Sequence, residues 1–279
     1  MAIELVVTDL DGTLWHTDDH VAEPVLDAWA ELARRQIPVL VATGRRLAST
    51  RGPLRRVGLT PPAVVLNGAL GVDLATGERF HRAPFPSAQA VAVYDAFRSV
   101  GLSPVVYVDH PDYDVFLSED VDTNPGHVQA LGDTAAHVSA SGADPEDDEL
   151  RRVVAAEAVL GFSMIGVPFG PAEAAARAVG ALAESHLDRS IDWPGTASLT
   201  VAPRGQSKWD GVLAFCRRHG IDDTKVLALG DGPNDVELLT GAAVRLVPEV
   251  AHAAALELAT AVIPAAADGG WAAVLDHVA

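Results

Sequence analysis

The feature that most restricts the fold of this chain is a short apolar run that recurs along it and ends each time in a polar loop. Such runs occupy Ile3–Thr8, Ile37–Ala42, Ala63–Leu66 and Val226–Leu229. Because they largely lack polar alternation, they predict strands that are covered on both faces. Helical patterns separate the first three runs, and strand–helix–strand units of this length form parallel sheets with right-handed crossovers. The predicted fold class is therefore α/β, with a doubly wound, Rossmann-like parallel sheet.

The middle of the chain has a mixed α+β texture. Hairpin signals appear around Ala75–Gly77 and His110–Asp112, with a helical pattern at Ser87–Ser99 between them. We also predict an alanine-rich helix at Pro171–Glu184 and a strand at Ser198–Val201. The length of 279 residues suits two domains of about 150 residues each. The predicted domains are a core at residues 1–82 and 203–279 and an α+β domain inserted at residues 83–202.

Composition argues against several functional classes. The 20 Lys and Arg against 38 Asp and Glu give a formal charge of −18, which disfavours nucleic acids and anionic membranes as partners. No apolar run reaches the roughly 18 residues of a membrane span, and the sequence around Ile3 does not resemble a signal peptide. The single cysteine, Cys216, lies in a helical pattern that predicts a buried structural thiol. A reducing compartment fits one cysteine, and we expect a cytoplasmic protein.

Two carboxylates stand in the first polar loop, Asp9-Leu10-Asp11-Gly12-Thr13. Side chains two residues apart at an extended strand end point the same way. Like charges this close are costly unless a cation neutralises them or one of them carries a proton. A turn with a helix cap, in which Asp–Gly is common, explains the segment equally well by itself.

Two further polar loops follow other strands. Thr43-Gly44-Arg45 offers a hydroxyl and backbone N–H groups to an anion, although an ordinary helix N-cap has the same pattern. Gly230–Asp235 holds three oxygen ligands within five residues, which favours a hard cation such as Mg²⁺ over a merely capped turn. Loops that follow parallel strands meet at the sheet edge where open α/β sheets bind ligands.

Other polar residues are ambiguous by themselves. An isolated lysine such as Lys208 is typically a solvated surface charge, and only its order in the chain gives it weight. His16 and His20 are four residues apart. Without a cysteine or a third histidine nearby, they indicate a solvated loop rather than a pair of metal ligands.

Taken in chain order, these motifs resemble those of the haloacid dehalogenase superfamily. Within it the chain is similar to the Cof-type phosphatases, which carry a large α/β cap between the second and third motifs, and the resemblance covers nearly the whole chain. The segments that carry it are Asp9–Thr13, Thr43–Arg45, Asn67–Ala69, Phe80–Phe85, Lys208, Gly230–Asp235 and Asp268–Gly270. The chain departs from the family at Trp209, where glycine is usual, and near Leu239, where methionine is common. Neither departure touches a charged catalytic position.

The resemblance implies a mechanism and a metal. Asp9 is the expected nucleophile, and Asp11 is the expected general acid and base. Mg²⁺ is expected to be held by Asp9, the backbone carbonyl of Asp11, and Asp231, with Asp235 binding directly or through water. Lys208 is expected to be catalytic as well, because it stabilises charge on the transferring phosphoryl group.

The same resemblance implies the binding groups. The expected phosphate- or substrate-binding residues are Leu10, Thr43, Gly44, Arg45, Asn67, Lys208 and Asn234. The cap is expected to close over the site and to supply specificity. Its candidate residues are Tyr107, Tyr113, Asp114, His127 and Trp193, and a purely structural role explains each of them at least as well.

The resulting hypothesis is a Mg²⁺-dependent phosphatase for small phosphorylated metabolites, most favourably sugar phosphates. The spacing from Asp9 to Thr43 leaves room for one helix and no cap, unlike the related mutases and phosphonate hydrolases, and Asp11 argues against a dehalogenase. A phosphotransferase and a catalytically silent phosphometabolite-binding regulator stay open as alternatives. A phosphatase of nucleic-acid ends is disfavoured, because no basic patch exists outside Arg45–Arg56.

Overall fold

The computed structural model describes residues 2–16, 19–118, 135–138, 148–190 and 193–278. The chain divides into two compact units, Met1–Arg82 with Gln206–Ala279, and Ala83–Gly205. The described strands are β1 (Leu5–Thr8), β2 (Val39–Ala42), β3 (Pro62–Val65), β4 (Leu70–Asp73), β5 (Arg79–Arg82), β6 (Val105–Val108), β7 (Val115–Ser118), β8 (Ala135–Val138), β9 (Val159–Val167), β10 (Glu184–Arg189), β11 (Ala197–Ala202), β12 (Val226–Leu229), β13 (Val244–Pro248) and β14 (Ala261–Ile263). The described α-helices are α1 (Glu23–Arg34), α2 (Leu47–Arg56), α3 (Ser87–Ser99), α4 (Glu149–Ala156), α5 (Phe169–Val179), α6 (Lys208–His219), α7 (Val236–Gly241) and α8 (Ala253–Leu256).

The first unit is built on an eight-stranded sheet in the order β14-β13-β12-β1-β2-β3-β4-β5. Pairing is parallel from β14 to β3, and β4 and β5 are added antiparallel at one edge. On one face Leu5 and Val7 pack in a core with Val212 of α6. On the other face Thr8 contacts Trp271, which stacks on Trp29 of α1. Both faces are covered, and the predicted α/β fold class is confirmed.

Local sequence fixes the helix that approaches the strand ends of this unit. A capping box formed by Ser207 and Asp210 begins α6, and Gly220 ends it in the left-handed conformation with φ 66°. The helix packs against β2, β3, β4 and β5. Its first residue is Lys208, which is therefore held at one end of the sheet.

The second unit contains a six-stranded sheet in the order β10-β11-β9-β6-β7-β8. Its strands are antiparallel except for the parallel pair β7 and β8. Helices α3, α4 and α5 contribute buried residues to one apolar core with the sheet. The predicted helix at Ser87–Ser99 and the hairpin around His110–Asp112 are both present.

The structure corrects one helix of this unit and adds two strands. The helix predicted for Pro171–Glu184 ends at Val179, because Gly180 with φ 46° turns the chain, and β10 begins at Glu184. Strand β9, at Val159–Val167, lies between β11 and β6, although two glycines interrupt its apolar pattern.

Two further features are the length of the helices and the environment of Cys216. Within the described residues, none of the helices combines the length and the hydropathy needed to cross a bilayer. Cys216 is buried in α6, and burial raises the pKa of its thiol to about 11. This environment agrees with the predicted structural thiol.

Candidate active site

The polar loops of the first unit lie at the carboxyl ends of neighbouring parallel strands. Backbone hydrogen bonds connect these loops. The Asp9 N–H donates to the Leu229 carbonyl at 2.9 Å, the Thr43 N–H to Val64 at 2.9 Å, and the Asn67 N–H to Thr43 at 3.1 Å. The motifs that are far apart in sequence therefore form one continuous edge.

Lys208 is buried between two carboxylates at this edge. Its Nζ atom donates to Asp9 Oδ1 at 2.8 Å and to Asp235 Oδ1 at 2.7 Å. Lys208 and Asp235 are fully buried, and Asp9 is 6% exposed. The two carboxylates raise the pKa of Lys208 despite its burial, so the ammonium stays charged. The isolated lysine of the sequence is therefore a central group of the site and not a surface charge.

Asp231 joins these two carboxylates in a cluster of three. One oxygen from each of Asp9, Asp231 and Asp235 lies within 4.8 Å of the others. Burial raises the pKa of Asp9, Lys208 opposes that shift, and the other two carboxylates add to it. Burial also raises the pKa of Asp231 to about 6, while a 2.8 Å hydrogen bond from Thr13 Oγ1 lowers it. Such a cluster has the donor set and the surplus negative charge that a hard divalent cation compensates.

Asp235 is more fully hydrogen-bonded than the other members of the cluster. Its Oδ1 accepts from Lys208. Its Oδ2 accepts from the backbone N–H groups of Asp231 and Gly232 at 3.1 and 2.9 Å. This carboxylate holds the last loop in place and orients Lys208, whether or not it also binds a cation.

Asp11 has a different environment from Asp9. Its carboxylate accepts from Arg45 Nε at 2.6 Å and Nη2 at 2.5 Å, and from Trp15 Nε1 at 3.0 Å. Arg45 also lies 5.1 Å from the centre of the Trp15 ring and 2.7 Å from Asp19 Oδ1. Strand β1 ends at Thr8, so Asp9 and Asp11 lie beyond it. The extended strand from which we expected their side chains to point the same way therefore does not include them.

The second and third loops are joined at an unusual backbone turn. Leu66 and Asn67 have φ values of 51° and 52°, a conformation that costs free energy for residues other than glycine. Hydrogen bonds hold it, since the Leu66 N–H donates to the Arg45 carbonyl at 3.0 Å and the Asn67 N–H donates to Thr43. Asn67 Oδ1 in turn accepts from Asn234 Nδ2 at 3.0 Å. The predicted residues Thr43, Asn67 and Asn234 are thus brought together.

Two predicted binding residues offer only backbone groups. Leu10 is fully buried and has no polar side-chain atom, so its backbone N–H is the only group with which it could donate to an anion. Gly44 lies beside the amide groups of Asn67 and Asn234. Thr43 is buried, and its Oγ1 accepts from the Arg45 N–H at 3.2 Å. It is not the N-cap of α2, which begins at Leu47 with Arg46 in the capping position.

The remaining candidates are two histidines of the first unit and several residues of the second unit. His16 and His20 are exposed, and the only metal-type cluster found among the described residues is the one around Asp9. In the second unit, Tyr107 is buried in β6, Tyr113 stacks on His110 with centroids 5.6 Å apart, and Asp114 and Trp193 are half-buried. His127 lies outside the described residues.

Sequence reasoning missed Trp15 and Asp19, which complete the surroundings of Asp11 and Arg45. The Leu10 carbonyl accepts from the N–H groups of Leu14 and Trp15 at 2.8 and 3.1 Å, and this tight turn returns the Trp15 indole to Asp11. A tryptophan four residues after Asp11 was the available signal, but the segment has the sequence pattern of a solvated loop.

Comparison with known proteins agrees with this geometry. A family model described as haloacid dehalogenase-like hydrolase matches residues 6–275. The chain therefore belongs to the haloacid dehalogenase-like hydrolases. The predicted family and the predicted enzyme class, a phosphatase, are confirmed.

Relatives and solved structures match over most of the chain. The chain is 26% identical over 271 residues to a phosphoglycolate phosphatase of Methanopyrus kandleri, covering 97% of this chain and 95% of that one. It is 21% identical over 256 residues to the pyridoxal phosphate phosphatase YbhA of Escherichia coli, covering 87% and 86%. An X-ray structure of a protein from Thermotoga maritima shares the fold, with a TM-score of 0.78 at 19% identity over 99% of this chain and 98% of that one.

Proposed function

We propose that this protein is a Mg²⁺-dependent phosphatase that hydrolyses small phosphate monoesters through an aspartyl phosphate on Asp9. Sugar phosphates are the favoured substrate class. The observation that carries the proposal is the buried Asp9 carboxylate beside Lys208 and among Asp231 and Asp235. Relatives named for phosphoglycolate and pyridoxal phosphate support it, because both compounds are small phosphate monoesters.

The donor set fits Mg²⁺, which prefers carboxylate and carbonyl oxygens. Two buried carboxylates and the half-buried Asp231 share the charge of a single ammonium, so the cluster needs further positive charge. Asp9, Asp231 and the backbone carbonyl of Asp11 would hold the ion, with Asp235 binding directly or through water. When bound, the ion neutralises charge on the phosphoryl oxygens and allows the anionic substrate to approach Asp9.

The first chemical step is a displacement at phosphorus. An Asp9 carboxylate oxygen attacks and forms a P–O bond, while the bond from phosphorus to the leaving oxygen breaks. Asp11 gives its proton to that oxygen and becomes a carboxylate. Lys208 holds the Asp9 carboxylate in place through its 2.8 Å hydrogen bond and offsets charge on the transferring group.

The second step returns the enzyme to its starting state. The Asp11 carboxylate takes a proton from water as the water oxygen attacks phosphorus. The bond from phosphorus to Asp9 breaks, and inorganic phosphate leaves with the Asp9 carboxylate restored. Arg45 and Trp15, which both donate to the Asp11 carboxylate, orient it as it accepts this proton.

The remaining predicted residues would bind the phosphoryl group or the leaving group. Thr43, the backbone N–H groups of Leu10 and Gly44, and Asn234 would donate to phosphoryl oxygens, as Lys208 does. Asn67 and Arg45 would contact the leaving group. The second unit would act as the specificity cap, and the candidate residues Tyr107, Tyr113, Asp114 and Trp193 belong to this part of the proposal.

Two alternatives differ in what happens to the phosphoryl group. A phosphotransferase would deliver it to an acceptor and release little inorganic phosphate. A silent regulator would bind a phosphorylated metabolite without turnover, and the intact set of Asp9, Asp11 and Lys208 disfavours it. A cytoplasmic location and the absence of a nucleic-acid partner stay predictions.

The test is phosphate release from a panel of sugar phosphates, phosphoglycolate, pyridoxal phosphate and an aryl phosphate, with Mg²⁺ or with a chelator. We expect Mg²⁺-dependent release that Asp9→Asn abolishes. Asp27→Asn, on the exposed face of α1, is the matched control and should behave as wild type. Folded protein that releases no phosphate from any compound would contradict the proposal, and acceptor-dependent product without free phosphate would favour the transferase.

A further inference from the structure

Buried hydrogen bonds lead from the C-terminal segment to the backbone of Asp9. The indole Nε1 of Trp271 donates to Thr8 Oγ1 at 2.9 Å, and Thr8 Oγ1 donates to the Asp9 carbonyl at 2.7 Å. Trp271 and Thr8 are fully buried. The Trp271 ring is held against Trp29, with centroids 5.5 Å apart and planes at 17°.

The direction of this hydrogen-bond chain is fixed by chemistry. An indole N–H can only donate, and a threonine hydroxyl has one proton and two lone pairs. Thr8 therefore accepts from Trp271 and has its single proton left for the Asp9 carbonyl. Each bond polarises the next, which strengthens the final one.

The Asp9 carbonyl belongs to the same peptide group as the Leu10 N–H. This peptide is trans and planar, so the two groups point in opposite directions. A hydrogen bond that fixes and polarises the carbonyl therefore also aims the N–H and makes it a stronger donor. On the other side of Asp9, its own N–H donates to the Leu229 carbonyl at 2.9 Å. The backbone that carries the nucleophile is thus held from both sides.

We propose that Trp271 and Thr8 are positioning residues for phosphoryl transfer, acting through the Asp9–Leu10 peptide. Their hydrogen bonds aim the Leu10 N–H at the phosphoryl oxygens, where a preorganised donor stabilises charge that develops in the transition state. Neither side chain touches the substrate. This inference rests on the proposed function, because it assigns the Leu10 N–H to the phosphoryl group.

The structure also indicates why tryptophan and threonine occupy these positions. Phenylalanine could stack on Trp29 but would offer no donor to Thr8. Valine has the shape of threonine but would leave the Trp271 N–H without its acceptor and the Asp9 carbonyl without its donor. Serine keeps the hydroxyl and loses only a methyl group.

These differences define the experiment, which uses the full chain with Mg²⁺. Thr8→Val and Trp271→Phe should each lower kcat about tenfold and weaken inhibition by orthovanadate to a similar extent, with KM changed less than about twofold. This loss of kcat is smaller than the ~10²–10³-fold loss expected when a hydrogen-bond donor is removed, because the Leu10 N–H would be displaced and not removed. The double variant should lose no more than Thr8→Val, since the two residues act in series.

Two control variants separate positioning from packing. Thr8→Ser should keep kcat and orthovanadate inhibition near the wild-type values. Trp29→Phe disturbs the same ring stack without removing a hydrogen bond of the chain, so it should lower the midpoint of thermal unfolding and leave kcat unchanged. If Thr8→Val does not fold, comparing the kcat values of Trp271→Phe and Trp29→Phe separates positioning from packing in the same way.

Wild-type kcat and orthovanadate inhibition in both Thr8→Val and Trp271→Phe would overturn the inference and leave these residues a structural role. If the wild-type protein itself shows no turnover, the proposed function fails separately. The inference is then decided by the affinity for inorganic phosphate, measured by calorimetry. Equal affinity in wild type and Thr8→Val would overturn it, and an affinity lowered about tenfold would support it.

Discussion

The backbone carbonyl of Ser207 occupies the space that a Cβ atom on Gly68 would need. Gly68 also has φ 108°, which L side chains rarely adopt. The loop after β3 can therefore lie directly against the first turn of α6, whose first residue is Lys208. The depth at which the lysine enters the carboxylate cluster depends on this absence of a side chain.

We predict that Gly68→Ala lowers kcat at least tenfold by displacing Ser207 and Lys208. Gly58 is the matched control, because it has φ 79° and no atom within 4 Å of a Cβ position. Gly58→Ala adds the backbone strain of about 1–2 kcal/mol without the collision. Steady-state kinetics should show normal turnover for Gly58→Ala. Equal effects of the two substitutions would show that strain alone is responsible.

Removal of the buried lysine should affect both activity and stability. Lys208→Met leaves Asp9 and Asp235 without their shared cation, and breaking a buried ion pair in this way costs about 3–5 kcal/mol. We expect kcat to fall by ~10²–10³ or more and the metal-free protein to unfold at lower denaturant concentration. Lys225→Met removes a half-exposed pair with Glu4 and should change neither value. A stable, active Lys208→Met variant would contradict the assigned role.

The pairing of Arg45 with Asp11 predicts an effect that depends on the leaving group. Arg45→Met should lower kcat about tenfold to a hundredfold for alkyl phosphates, a part of the ~10²–10⁴ that general acid–base catalysis contributes. Aryl phosphates need less help from an acid and should be affected less. Arg45→Lys should recover little, since one ammonium cannot reproduce the two bonds of the guanidinium.

Arg56→Met is the control for this substitution. Arg56 is exposed, and its Nη2 atom lies 3.3 Å from Asp19 Oδ2. Its removal should leave both substrate classes unchanged. An equal loss for alkyl and aryl phosphates in Arg45→Met would contradict positioning of the acid.

The raised pKa values of the carboxylates predict a pH dependence of stability. In the metal-free protein, burial raises the pKa of Asp231 to about 6 and also raises that of Asp9, above the ~3.9 of an unfolded chain. The folded state then binds more protons than the unfolded state from about pH 4 up to the folded-state pKa values, which reach about 8 for Asp9, so stability falls as the pH rises through this window.

Mg²⁺ should reverse this trend, because it replaces the bound protons. Denaturant unfolding should show a larger stabilisation by Mg²⁺ at pH 8 than at pH 5. Asp231→Asn should show a flatter pH dependence and a smaller effect of Mg²⁺. A stabilisation by Mg²⁺ that is independent of pH would contradict proton–metal competition at this cluster.

Much of the core fold could be predicted from sequence, because β1, β2, β3 and β12 are buried on both faces and their apolar runs are continuous. The second unit was harder. Strand β9 contains Gly161 and Gly166, which weaken the strand pattern although the backbone pairs on both sides. Strand β10, with the sequence Glu-Ser-His-Leu-Asp-Arg, is a polar edge strand. Edge strands face solvent, so their apolar pattern is weak.

The site was predictable where motifs follow strands and was not predictable where side chains meet across the fold. Parallel topology brings Asp9, Thr43 and Asp235 to one edge. The burial of Lys208 depends on the packing of α6 and on Gly68. The contact of Trp271 with Thr8 joins residues 263 positions apart, and no local pattern indicates it.

The most direct test of the account is the detection of a phosphoryl group on Asp9. Asp11→Asn should still transfer the phosphoryl group of an aryl phosphate to Asp9, because this leaving group needs no acid. The resulting aspartyl phosphate should then be hydrolysed slowly, because the base that activates water is missing. Acid quenching and peptide mass spectrometry should find the mass of one phosphoryl group on the peptide that contains Asp9. Turnover of the wild type, with no phosphorylated peptide in either protein, would contradict covalent catalysis by Asp9.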